Sequence, residues 1–296
     1  MRIAVTGSTG LIGTALVSQL HAAGHDVVRL VRRPPRAADE ISWDPSNGSV
    51  DVGQLQGVEG AVNLAGAGIG DRRWTSSYQE LLVSSRVDST RTLAEALASL
   101  DPLPRVLVSG SAVGFYGDRG DEVLTEDASP GRGFLADLTQ AWEAAASPAT
   151  DAGIRVVTAR TGIVLSPDGG ALARMLPLAR LGLGGPLGSG DQWWPWITLA
   201  DEVRALEFLL DQDLTGPVNL TAPQPVRNAA VAAALGTALN RPALLRAPAF
   251  ALRALLGQFA DDMLASQRVL PSRLLDAGFG FGQRTIEQAA SWALRR

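Results

Sequence analysis

The chain predicts an α/β fold built on a doubly wound parallel sheet, followed by a smaller, mostly helical C-terminal lobe. Three observations carry that prediction. Arg2 to Val5 is a short apolar strand that runs through a glycine-rich turn into a segment with Leu11, Ala15, Leu16 and Leu20 at helical spacing. Strand and helix signals then alternate as far as about residue 165, the order that gives a parallel sheet with helices on both faces. Beyond that point strand signal is sparse and helical segments dominate. At 296 residues the chain suffices for one large core or two modest lobes.

The opening turn reads Thr6-Gly7-Ser8-Thr9-Gly10-Leu11-Ile12-Gly13, with spacing G-x-x-G-x-x-G. Gly7 permits a tight turn, Gly10 lets a pyrophosphate approach the backbone, and Gly13 lets the helix sit close to the strand. The free N–H groups and positive end of the helix then face the phosphates. Strand, glycine turn and helix together form the Rossmann-type beginning of a nucleotide-binding sheet.

The second strand, Val27 to Val31, follows the Gly24-His25-Asp26 turn. An acidic residue at its end would bond the ribose 2′-hydroxyl of NAD. Arg32 and Arg33 stand there instead. A guanidinium suits a 2′-phosphate by charge and bidentate geometry, which favours NADP(H). The alternative is a solvated basic loop. Ile41 to Asp44 is a strand end near the adenine side of such a sheet. Gly60 to Gly66 is a strand and its exit, whose small residues let a dinucleotide run across the sheet's carboxyl edge. A long amphipathic helix is expected from Ser76 to Leu97. Arg86 lies among its leucines: it is either a surface charge or, as a neighbour of buried leucines on a helix crossing the cofactor cleft, a cation that needs an anionic partner. Val106 to Ser109 is a strand with the serine-containing exit Gly110 to Gly117, and serines at a strand's carboxyl end point toward the ligand crevice. Asp118 to Pro130 reads as an acidic surface excursion, Phe134 to Ala146 as a helix, and Ile154 to Ala159 as a further strand.

In the second part, Leu181 to Gly190 is glycine-rich, and Trp193, Trp194 and Trp196 cluster. Such a cluster is either core packing or the wall of a ligand pocket. Asp201 to Leu210, Arg227 to Leu239, Pro248 to Leu256 and Thr285 to Leu294 read as helices, and Pro217 to Leu220 as a strand.

Composition narrows the function. The net charge of −4 gives no nucleic-acid footprint. No apolar run reaches membrane-spanning length and the first residues form a strand rather than a secretory leader, so no membrane partner and a cytoplasmic location are expected. Cysteine is absent, and His21 and His25 have no metal-ligand partners in sequence, so neither thiolate chemistry nor a metal site is expected. All 26 basic residues are arginine, which excludes any mechanism that requires lysine.

These features together resemble an extended short-chain dehydrogenase/reductase of the NAD-dependent epimerase/dehydratase superfamily. More narrowly, the chain resembles the "epimerase family protein" branch with a C-terminal domain of unknown function. The glycine turn and Asn63-Leu64-Ala65-Gly66 carry the wider likeness. Asp71-Arg72-Arg73-Trp74, Ser85-Arg86-Val87-Asp88, Gly188 to Ile197, Gln267 to Pro271 and Ala277-Gly278-Phe279 carry the narrower one. The resemblance implies an epimerase/dehydratase-like unit over residues 1–240, with its Rossmann core at about 1–165, and a helical domain over 241–296 that contributes to a substrate lobe. It implies an NADP-type cofactor at Gly7, Thr9, Gly10, Leu11, Ile12, Gly13, Val31, Arg32, Leu64, Ala65, Gly66, Arg86 and Val164.

The chain departs from the superfamily at the catalytic pair. Active members use Tyr-x-x-x-Lys, the tyrosine exchanging a proton with the substrate hydroxyl while lysine lowers its pKa. The corresponding helix, Gly133 to Glu143, has no tyrosine, and the chain has no lysine. Ser111 stands at the usual serine place, and Tyr116 is the candidate for a relocated phenol. Two functions follow as expectations. One is an NADP(H)-dependent oxidoreductase or epimerase acting on an unidentified small hydroxyl or carbonyl substrate. The other is a catalytically weak NADP(H)-binding sensor or interaction protein. The sequence leaves the oligomeric state open.

Overall fold

The computed structural model describes residues 1–294. β1 (Arg2–Thr6) is buried from Ile3 onward and lies inside an eight-stranded sheet. Its strands in chain order are β1, β2 (Asp26–Val31), β3 (Glu40–Asp44), β4 (Ser49–Val50), β5 (Gly60–Asn63), β6 (Val106–Ala112), β8 (Arg155–Thr161) and β12 (Gly216–Leu220), with β7 (Val123–Leu124) lying elsewhere. Across the sheet the order is β12-β8-β6-β5-β1-β2-β3-β4. β1 pairs in parallel with β2 on one side and β5 on the other, so the strand order reverses beside β1. That reversal opens a crevice at the carboxyl ends of β1 and β5, where doubly wound sheets bind ligands. β4 runs antiparallel at this edge, hairpinned onto β3.

The chain forms two compact units, neither of them a continuous stretch. The first comprises residues 1–112, 138–160 and 203–218, the second residues 113–137, 161–202 and 219–296.

In the first unit α1 (Leu11–Ala22) buries Gly13, Leu16 and Leu20. α2 (Ser76–Ala98) starts at Thr75, whose hydroxyl accepts the Tyr78 N–H at 3.2 Å. Leu82, Leu93 and Leu97 of α2 are fully buried. The apolar core joins Ala4, Val28, Leu30, Ile41 and Leu107 of the sheet to Leu93, Ala94 and Leu97 of α2 and to Ala149 of the short α4 (Ser147–Asp151). α2 also buries Arg86, Ser89, Thr90 and Thr92, a polar stripe that an apolar-face reading of the helix does not foresee. Part of α3 (Phe134–Ala144) belongs to this unit.

The second unit holds three two-stranded pairings: β7 with β14 (Arg268–Val269), β9 (Ile163–Ser166) with β11 (Trp196–Thr198), and β10 (Trp193–Trp194) with β13 (Val226–Arg227). Its helices are α5 (Gly170–Arg180), the first turn of α6 (Leu199–Asp211), α7 (Asn228–Leu239), α8 (Ala249–Leu256), α9 (Phe259–Leu264), α10 (Ser272–Asp276) and α11 (Ile286–Leu294). Leu172 and Leu176 of α5, Val231 and Leu235 of α7 and Ala289 and Ala293 of α11 pack around Trp194 and Trp196. Of the tryptophan cluster, two members are thus core. Trp193 instead lies between the Arg227 and Arg268 guanidinia, 4.3 and 4.8 Å from its ring centre, and donates to Asp121 at 2.7 Å. The segment expected as a surface excursion, Asp118 to Pro130, buries Leu124 and Glu126, because β7 within it pairs with β14.

Candidate functional site

The glycine turn is built by exclusion. Gly7 has φ +62°, and a Cβ there would stand 2.4 Å from the Leu64 carbonyl oxygen at the exit of β5. A Cβ on Gly13 would stand 2.1 Å from the Gly7 carbonyl oxygen. Both positions are therefore closed to any side chain. Gly10 differs: a Cβ there would meet only the Gly7 oxygen, at 3.3 Å. It lines an open cavity of about 520 Å³ with Gly7, Ser8 and Thr9. Gly10 is also the N-cap of α1, with no side-chain cap and no acidic residue in the first turn. The first amides of α1 are thus left to an anion.

The carboxyl ends of the central strands are tied together. The buried Thr6 hydroxyl donates to Asn63 Oδ1 at 2.5 Å and accepts the N–H groups of Leu64 and Ala65 at 3.1 Å. Asn63 Nδ2 and Trp142 Nε1 both donate to Thr90 Oγ1, at 2.7 and 2.9 Å. This network fixes the β5 exit, whose Leu64, Ala65 and Gly66 form one wall of the cavity.

Across the cavity stand Val31, Arg32 and Arg33 at the end of β2. The two arginines part company. Arg33 makes a bidentate pair with Glu40 of β3, 2.7 Å to each oxygen. That bond, the Arg36 N–H and nearby Arg29 hold Glu40 down at about 2. Arg32 is exposed at the rim and has no ion pair among the described residues.

Arg86 is placed differently from the cavity-lining residues. It is 7% exposed and lies behind Gly66, where a Cβ would come within 3.2 Å of its Cγ and Cζ. Its Nη1 donates to the Leu82 carbonyl at 3.1 Å, and its guanidinium sits 5.1 Å from the Trp142 ring centre. Its Nε has no hydrogen-bond partner. Burial pushes its pKa down to about 10. An arginine buried without a carboxylate is a cation short of an anion.

Of the other expected residues, Leu11, Ile12 and Gly13 begin α1. Val164 lies in the second unit, in β9 opposite Ile197. Ser111, on β6, donates to Glu143 Oε1 at 2.6 Å. Glu143, on α3, is gripped by Arg160 of β8 through Nε at 2.8 Å and Nη2 at 3.0 Å. Tyr116, in the second unit, is fully buried beside Phe115, Leu124 and Val269, and its hydroxyl donates to Asn219 Oδ1 at 2.7 Å.

Sequence reasoning missed Glu143 and Arg160. Ser111 and Glu143 are 32 residues apart, and no spacing rule joins them. It also missed the α2 side of the cavity, Ser84, Ser85, Asp88 and Ser89. The signal there was a run of small polar residues, Ser84, Ser85, Asp88 and Ser89, within the amphipathic helix. Among the described residues no cluster of histidine and acids could hold a metal ion, and no helix is long and apolar enough to cross a membrane.

Comparison with known proteins adds the lineage. The model of the NAD dependent epimerase/dehydratase family matches residues 3–220, and that of a domain of unknown function, DUF1731, matches residues 247–293. An epimerase family protein of Mycobacterium tuberculosis (strain CDC 1551 / Oshkosh) is 49% identical over 99% of this chain and 98% of its own. The crystal structure of human epimerase family protein SDR39U1 (isoform 2) with NADPH superposes with a TM-score of 0.93 at 35% identity, covering 100% of both chains. A nucleoside-diphosphate sugar epimerase from Corynebacterium glutamicum gives a TM-score of 0.80 at 37% identity, over 99% of this chain and 58% of that one. A chain that sets a glycine cradle at the switch point of a doubly wound sheet and matches these relatives along nearly its whole length belongs to the NAD dependent epimerase/dehydratase family.

Proposed function

We propose that the chain binds NADP(H) in the cavity at the ends of β1, β2 and β5. We propose further that it acts as an oxidoreductase or epimerase-like protein on a small hydroxyl- or carbonyl-bearing molecule. The observation that carries the reading is the charge arrangement after β2: Arg32 stands exposed at the cavity rim, while the acid of the neighbouring strand, Glu40, is spent on Arg33. A 2′-phosphate there meets an unpaired guanidinium and no competing carboxylate. The cradle fits the rest of the group. Gly7 and Gly13 close the turn, Gly10 leaves backbone bare toward the cavity, and the amides that open α1 await an anion. The human relative crystallised with NADPH supports the same choice.

Bound there, the cofactor supplies hydride transfer. The backbone amides of Thr9, Leu11 and Ile12 would hold the pyrophosphate beside Gly10, whose own N–H is bonded to the Gly7 carbonyl, Arg32 would hold the 2′-phosphate, and Val31, Leu64, Ala65 and Gly66 wall the site. Arg86 lends positive charge from behind Gly66. Val164 is carried by the family likeness alone. For proton handling, the one Ser111 hydroxyl proton is directed at Glu143, so Ser111 offers its lone pairs to a substrate hydroxyl. Ser111 then takes a proton and passes its own to Glu143, whose carboxylate Arg160 holds in place. Tyr116 is the second candidate acid; it would first have to leave Asn219.

A second reading, NADP(H) binding with little turnover in a sensor or interaction protein, is favoured by α3. That helix carries neither tyrosine nor lysine. Isothermal titration with NADPH and NADH tests the cofactor; equal affinity, or preference for NADH, overturns it. Screening carbonyl and sugar-nucleotide substrates by NADPH absorbance, with Ser111→Ala and Tyr116→Phe, separates the two functions. Turnover removed by either substitution supports the enzyme, and tight binding with no turnover supports the sensor.

A further inference from the structure

The exposed apolar side chains of the described residues are unevenly spread. Of eleven large hydrophobics left exposed, seven lie in two stretches of the second unit: Leu178, Leu181 and Leu183 in one, and Leu244, Leu245, Phe250 and Leu255 in the other. The stretches touch. Leu187 bridges to Ala247, the Gly188 N–H donates to the Ala247 carbonyl, and Arg241 Nε donates to the Arg180 carbonyl at 3.1 Å. Between them runs a groove of about 90 Å³ lined by apolar side chains and backbone, among them Met175, Leu183, Leu235 and Leu245. α8 reads Ala-Phe-Ala-Leu-Arg-Ala-Leu-Leu, yet none of its residues is buried. Phe250 is 75% exposed and Leu255 73%.

Charge marks the same region. Residues 169–190 and 228–260 contain five arginines and no acidic residue, in a chain of net charge −4. Arg180, Arg241, Arg246 and Arg253 are all exposed. Asp168, Asp191 and the Asp261–Asp262 pair of α9 border these stretches, and Asp261 pairs with Arg253 at 2.8 Å.

From this combination we propose that the face formed by residues 178–183 and 241–255 docks on an anionic lipid surface as a peripheral contact. Arginines alternate with leucines along it, as Arg180-Leu181 and Leu245-Arg246, and Arg253 lies between Phe250 and Leu255. Apolar side chains of this kind enter the acyl boundary while guanidinia stay with the phosphates. A second copy of the chain is the poorer occupant, because a two-fold contact would set these arginines against their own images without a compensating acid. A protein partner would have to bring a matching set of acids to the positions of these arginines, whereas an anionic bilayer offers phosphates wherever they fall. A search for long apolar runs is blind to this surface, because the face is assembled from two short stretches.

Co-sedimentation of the full chain tests the proposal. The vesicles are phosphatidylcholine alone or an equal mixture of phosphatidylcholine and phosphatidylglycerol, at low salt and at high salt. Binding is expected to the mixed vesicles, weaker by tenfold or more on neutral ones and weakened by salt. Arg241→Gln and Arg246→Gln should each lower it roughly fivefold, and Phe250→Ser with Leu255→Ser by at least about thirtyfold. Native circular dichroism and unchanged NADPH titration confirm that these variants fold. No binding to mixed vesicles overturns the proposal, as does equal binding to both vesicle types. Light scattering is the remaining check: a dimer that Leu255→Ser dissolves makes the face a contact between copies, and also overturns it.

Discussion

Arg32 and Arg33 are adjacent in sequence and opposite in use. Arg33 is held by a carboxylate on the next strand, and its charge is thereby spent. Arg32 keeps its charge for a ligand. Arg32→Asp should weaken NADPH binding roughly ten- to a hundredfold, the cost of one charge-assisted contact, and narrow or reverse the preference over NADH. Titration of both cofactors on both proteins measures it; an unchanged ratio would show that Arg33 or another group reads the phosphate. Arg86 is the complementary case, a cation the fold buries without a carboxylate. Its depressed pKa corresponds to a destabilisation on the order of 3 kcal/mol in the ligand-free protein. Arg86→Met keeps the stem and removes the charge. It should raise the melting temperature of the ligand-free protein while lowering NADPH affinity, two readouts that move in opposite senses. A fall in both would mean that Arg86 serves packing alone. The pairings behind these assignments could not be read beforehand. That arginines follow β2 was plain from the letters, but which of them meets Glu40 depends on β3 lying beside β2 in one particular register.

At the scale of elements, the glycine turn separates two roles that the spacing alone leaves merged. Gly10→Val should leave circular dichroism native-like and abolish dinucleotide titration, since Gly10 lines the cavity and a Cβ there meets only the Gly7 oxygen. Gly13→Val should fail differently. Its Cβ collides with the backbone of the turn, so α1 is pushed off β1 and the protein loses several kcal/mol of stability. If both variants behaved alike, the cavity beside Gly10 would not be the ligand's. Strands and helices of this first unit were legible because period-2 and period-3.6 patterns are local. The α2 helix, for example, starts at Ser76 where its amphipathic stretch begins. The Ser111–Glu143–Arg160 chain was not, because it joins three elements that only the sheet brings together. The burial of Leu124 within an acidic stretch was hidden for the same reason: its partner β14 lies far along the chain.

Across the whole molecule, carboxyl groups of two kinds oppose one another in the pH dependence of stability. Asp39, beside Arg29, and Glu40, beside Arg33, are held below their ordinary values. So are Asp44, bonded by Ser46 and Asn47, and Asp121, bonded by Trp193 and facing Arg227. These groups add stability above their unfolded values and lose it as pH falls through the folded ones. Glu202 belongs to the other kind. It is 0% exposed, accepts one bond from Thr161 at 2.8 Å, and has an Oε2 without a partner. Burial pushes its pKa from 4.5 up to about 8. Between those values the folded chain keeps a proton that the unfolded chain has released, so stability is full below the lower value and falls as pH rises, by up to about 1.4 kcal/mol per unit. Asp262, pushed up to about 6 by burial and by Asp261, acts in the same sense over a narrower range. The chain should therefore be most stable at mildly acidic pH. Glu202→Gln preserves the acceptor for Thr161 and cannot ionise. Its melting temperature should match the parent near pH 5 and exceed it near pH 8, by several degrees for a difference on the order of 3 kcal/mol. Thermal melts of the two proteins at pH 5, 6.5 and 8 provide the comparison. Curves that stay parallel across that range would mean that Glu202 is already ionised in the fold, and that something other than a held proton satisfies its second oxygen.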